Sequence, residues 1–131
     1  MAVYGEADAS FQAAGGEAGI RLLAEEFYRQ MSVLPESKKI FDMHTGDLEV
    51  TIDKLTRFLC GWLGGPKLFN EKYGQIRIPV AHKHLEIGTN ERDAWLLCMQ
   101  KALQLQPYED DFKVYLLEQL FVPAERSRNQ D

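Results

Sequence analysis

VAHKHLEIGTNERDAWLLCMQKAL, residues 80–103, holds two of the chain's three histidines with one lysine between them, and runs straight into a helical pattern. Thr89 or Asn90 can cap that helix, and Glu91 and Asp93 fall in its first turn, where negative charge suits the positive end of the helix. Trp95, Met99 and Ala102 recur on one stripe, with Leu96 and Leu103 alongside, and the pattern ends before Pro107. Upstream, Pro79 can open a short helix reaching about Leu85 and ended by Gly88. Two histidines at the hinge between two helices pose the main chemical question of this sequence.

Outward from this stretch the hydrophobic period is helical nearly everywhere. Gly15-Gly16 forms a permissive hinge, followed by Ile20, Leu23, Phe27 and Met31 at helical spacing. Pro35 suits the first position of a short helical turn through Phe41. From Asp47 to Leu63, Leu48, Thr51, Leu55, Phe58 and Trp62 share a stripe, with Ile52 and Leu59 beside it, and Gly64-Gly65-Pro66 is a strong stop. Residues 67–78 read as an irregular connection. A last helix from about Glu109 to Phe121 points Phe112, Tyr115, Leu116 and Leu120 inward, Pro123 ends it, and the tail AERSRNQD reads as unpacked. No internal repeat or low-complexity block interrupts this pattern. The fold class is all-α, with five or six helices.

A chain of 131 residues supports one core, so a single domain is expected over residues 1–131. The net charge of −5 and the lack of a basic run argue against a phosphate-binding face, and so against nucleic acid. The start lacks a basic region followed by an apolar block, and no apolar run approaches the roughly 20 residues that span a bilayer. A cytoplasmic protein with no membrane partner is expected. Cys60 and Cys98 lie within helical patterns and read as small buried hydrophobes rather than a disulfide.

Three histidines cannot close a structural zinc site, which needs four ligands, and the two cysteines lie on separate helices. On a helix, residues two apart diverge by about 200°, so at most one of His82 and His84 faces the core. His82 shares a face with Ile78 and Leu85, and His84 with Val80 and Ile87. Ordinary surface or satisfied core histidines would explain both. A single helical histidine facing an apolar pocket is also how haem iron is held in globins.

Several separated stretches bear on that choice. AGGEAGIRLLAEEFYRQM, then FLCGWLGGP, then HKHLEIGTNERDAWLLCMQKAL together resemble group II of the truncated haemoglobins, from about Gly15 to Leu120. The resemblance implies a globin-like fold, a shortened two-over-two helical sandwich around a haem. It implies that His82 is the proximal iron ligand, because of its distance from the Glu91-Arg92-Asp93-Ala94-Trp95 run. His84 falls where many members carry proline and reads as a surface residue.

The same resemblance sends Tyr28 and Trp95 into the distal pocket and puts Thr51 where conventional globins carry the distal histidine. Phe41 is expected on the porphyrin face, with Leu48, Leu55 and Phe58 on the distal wall and Leu85, Ile87 and Met99 as further contacts. Lys54 and Arg77 match positions whose cations pair with haem propionates, whereas Phe69 replaces a tyrosine that assists in some relatives. The implied cofactor is haem b, five-coordinate, binding O2 and other diatomic ligands such as NO or CO. A redox activity, NO dioxygenation or peroxide reduction, is the alternative. It requires a separate reductase, since no flavin or nicotinamide site is recognisable. The residues leave open whether the chain is an enzyme, and a monomer or weak dimer is expected. A helical interaction module without cofactor remains the third reading.

Overall fold

A computed structural model describes residues 4–42, 47–74 and 87–129. Among these residues the chain is helical, with no strand: α1 (Ala9–Ala13), α2 (Gly16–Val33), a 3-10 turn (Pro35–Ser37), α3 (Lys38–Asp42), α4 (Leu48–Trp62), α5 (Leu68–Tyr73), α6 (Thr89–Gln104) and α7 (Asp110–Ser127). α2 packs on α4 and α6, and α6 packs on α7. This is the two-over-two helical sandwich.

Local chemistry explains most boundaries. Gly15 and Gly16 both take positive φ, at 86° and 69°, and turn α1 into α2. Pro35 opens the 3-10 turn as expected, and the buried Ser37 hydroxyl donates to the Met31 carbonyl at 2.7 Å, pairing an end of α2. Asp47 caps α4 by accepting from the Glu49 N–H at 2.8 Å. At the other end, Gly65 N–H donates to the Cys60 carbonyl at 2.8 Å.

Ile20, Leu23, Phe27 and Met31 are buried, as their spacing predicts. On α4 the buried positions are Ile52, Thr56, Leu59 and Cys60, whereas Leu48 is exposed and Thr51, Leu55, Phe58 and Trp62 are only half-buried. The helix therefore has two apolar faces, and the structure covers one of them. α7 turns Phe112, Leu116 and Leu120 inward, but Tyr115 is half-buried beside Tyr4.

α1, which the sequence pattern did not reveal, is tied to the end of α4 by the Phe11 N–H to the Leu63 carbonyl at 3.1 Å. Three expectations need correction. The connection after Lys67 contains α5. Neither Thr89 nor Asn90 caps α6, because Gly88 is the capping residue and its N–H donates to Glu91 Oε1 at 2.7 Å. α7 continues through Pro123 to Ser127, and the tail packs: the Asn129 N–H donates to the Ile87 carbonyl at 2.8 Å. Proline removes one helix bond, but ion pairs of Glu125 with Arg92 and Arg128 hold the turns beyond it. The expected short helix over 79–85 lies outside the described residues.

Gly64 has φ of 91°, and a Cβ there would lie 2.0 Å from the Ala7 carbonyl oxygen. Left-handed backbone alone costs an L-residue about 1–2 kcal/mol. Gly64→Ala should therefore destabilise the protein by at least about 2 kcal/mol in chemical denaturation; an unchanged midpoint would contradict this close approach.

Candidate functional site

The site begins with the pattern of α2, which turns Phe27 and Tyr28 away from solvent. Phe27 is fully buried, and its ring centroid lies 4.8 Å from that of Tyr28 and 5.0 Å from that of Trp95 on α6, both in edge-to-face contact. One ring thus brings together the two aromatic donors that the sequence suggested. Burial pushes the Tyr28 phenol far above its ordinary pKa, so it keeps its proton at any working pH. The Trp95 indole N–H can only donate.

α4, which packs against α2, carries a second, half-buried apolar stripe. Thr51, Leu55 and Phe58 are half-buried, as is Phe41 on α3, and Leu48 is 45% exposed. Thr51 adds little donor capacity, because its hydroxyl donates to the Asp47 carbonyl at 3.2 Å. Partly open apolar side chains and two neutral donors in one small fold suit a large, flat, apolar group with a polar centre, such as a porphyrin. Met99 is fully buried in the core and Ile87 is buried at the entry to α6. His82, His84, Arg77 and Leu85 lie outside the described residues. Among the described residues, no cluster of three or more histidine, cysteine or acidic side chains could hold a metal ion.

Sequence reasoning missed the polar hub at Asp53. Its carboxylate accepts from Tyr73 Oη at 2.6 Å, Arg57 Nε at 2.9 Å and Lys72 Nζ at 3.0 Å, which fastens α5 to α4. These bonds, that from Tyr73 foremost, pull its pKa down to about 2. The hub gathers further side chains around Tyr73: the Phe69 ring lies 5.1 Å from it in a tilted contact, and Lys54 Nζ lies 5.3 Å from its ring centroid. Only the i,i+4 spacing of Asp53 and Arg57 was visible beforehand.

The sequence profile of the family described as bacterial-like globin matches residues 9–121. The chain belongs to that family, as a group II truncated haemoglobin. The group 2 truncated haemoglobin YjbI of Bacillus subtilis (strain 168) is 35% identical over 115 residues, covering 88% of this chain and 85% of the relative. The cold-adapted truncated haemoglobin from the Antarctic marine bacterium Pseudoalteromonas haloplanktis TAC125 superposes with a TM-score of 0.88 at 33% identity, over 93% of this chain and 98% of that one. The group II 2-on-2 haemoglobin from the plant pathogen Agrobacterium tumefaciens gives a TM-score of 0.87 at 31% identity, over 99% and 97%. This globin is thus a haem-binding globin by family. No helix among its described residues is long and apolar enough to cross a membrane.

The hub of this globin should report on pH. The Asp53 pKa lies below its ordinary 3.8, so its contribution to stability is complete above about pH 4 and is lost as pH falls toward about 2. Asp53→Asn should flatten the fall in melting temperature over that window. An acid limb with the wild-type slope would show that the hub does not stabilise the fold.

Proposed function

We propose that this globin is a single domain that binds haem b through His82, leaves the opposite coordination position open, and holds a diatomic gas, O2 in the first place, beneath Tyr28 and Trp95. The convergence of the two donors on Phe27 carries the reading. When bound, haem supplies an iron centre at which a small ligand becomes a good hydrogen-bond acceptor.

Each of the chain's own residues then has a task. His82 ligates. Tyr28 donates its hydroxyl and Trp95 its indole N–H toward the gas, in a pocket whose apolar wall from Leu48, Leu55 and Phe58 excludes water. Phe41, Leu85 and Ile87 complete the porphyrin contacts, whereas Met99, enclosed in the core, has no surface left for one, and Lys54 and Arg77 face the propionates. Lys54 is suited to this because it is exposed, and its ammonium rests on the face of Tyr73.

A hydrogen bond to a partly charged acceptor is worth roughly 1.5–3 kcal/mol, or about one to two decades in release rate. Tyr28→Phe and Trp95→Phe should each speed O2 release in stopped-flow measurements, and unchanged rates in both would remove their donor role. His82→Ala should abolish or displace the Soret band, while His84→Ala leaves it nearly intact. Holoprotein should melt above apoprotein, because haem binds the folded state; coincident melting curves would speak for a helical module without cofactor. Catalytic consumption of NO or peroxide, dependent on an added reductase, would move the reading from ligand binding to redox chemistry.

A further inference from the structure

The end of α7 reaches back to the chain just beyond the segment that carries His82. Asn129 holds Ile87 twice: its backbone N–H donates to the Ile87 carbonyl at 2.8 Å, and its side-chain Oδ1 accepts from the Ile87 N–H at 2.9 Å. One residue, 42 positions further along, thus pairs both main-chain polar groups of a buried residue that lies in no helix or strand. The tail that makes this grip is itself anchored. Glu125 accepts from Arg92 Nη1 at 2.5 Å and from Arg128 Nε at 2.7 Å, so the grip is braced against α6. The hydrogen bonds from Arg128 and then Arg92 pull the Glu125 pKa down to about 2, which keeps the brace charged near neutral pH. Next to Ile87, the Gly88 N–H donates to Glu91, and Glu91 pairs at 3.5 Å with Lys39 of α3.

The packing of α6 on α7 does not by itself require these bonds at Ile87. Their consequence falls on the chain before it. His82 precedes Ile87 by five residues, a length that spans at most about 17 Å when extended. A fixed Ile87 therefore limits where the imidazole can stand, and a loose one adds an ordering cost to any bond formed there.

We propose that Asn129 is a positioning residue for the haem ligand: by fixing Ile87 it sets the trailing end of the segment that places His82, so the C-terminal tail governs how long haem is retained. The proposal rests on the reading of His82 as the iron ligand.

The test compares ferric holoprotein of the wild type with Asn129→Ala and Asn129→Asp, following haem transfer to excess apomyoglobin. Asn129→Ala, which removes a part-buried hydrogen bond, should release haem about tenfold faster. Asn129→Asp keeps the accepting oxygen and should return the rate to within about twofold of wild type. The iron–histidine stretching band of the ferrous form should shift or broaden in Asn129→Ala, while the melting temperature of its apoprotein stays near wild type. Haem loss at the wild-type rate in Asn129→Ala would overturn the proposal. So would faster loss accompanied by an equal drop in apoprotein stability and an unaltered band, which would mark a general packing role. His82→Ala serves as the control for the underlying reading: if that variant keeps a wild-type spectrum, the ligand assignment itself fails, whatever Asn129 does.

Discussion

Phe27 is the point at which the core becomes a site. Its ring has no exposed surface, yet it touches both Tyr28 and Trp95, one from its own helix and one from α6. Interiors are packed so densely that a large ring in two edge-to-face contacts leaves its neighbours few alternative positions. α2 is held against α4 on one side and α6 on the other, so Phe27 is fixed by the whole sandwich. The separation of the two donors is inherited from that packing rather than from a flexible loop.

The same arrangement explains the two faces of α4. A helix packed on a single neighbour buries one stripe, and here Ile52, Thr56, Leu59 and Cys60 are covered. The second stripe, Thr51, Leu55 and Phe58, stays half-buried among the described residues. Apolar surface left in that state favours whatever can cover it, at about 25 cal/mol per Å² removed from water. Under the proposed reading, porphyrin affinity and the half-burial of this stripe would be two descriptions of one surface.

Among the described residues, charge ties elements together. Asp53 joins α4 to α5, Glu91 joins the start of α6 to α3, and Glu125 joins α6 to α7. All three act near the ends of the segment between Gly74 and Ile87. Tyr28 and Trp95, in contrast, are neutral, and the buried phenol of Tyr28 stays protonated. Under the proposed reading they would offer hydrogen bonds to a gas without bringing a fixed charge of their own.

By itself the sequence determined what depends on near neighbours. The period of Ile20, Leu23, Phe27 and Met31, the Gly15-Gly16 hinge, the segment opening at Asp47 and the Gly64-Gly65-Pro66 stop are local features, and the structure follows them. The family was legible too, because several such local signals occur in order along the chain. Tertiary structure alone decided which stripe of α4 is covered, that α5 forms where Asp53 gathers three donors, and that α7 passes Pro123 to deliver Asn129 to Ile87. Each of these depends on partners a turn of helix away or as far as 42 residues along. A period of 3.6 residues records which side chains share a face, but not which face finds a neighbour or which distant carboxylate a tyrosine will reach.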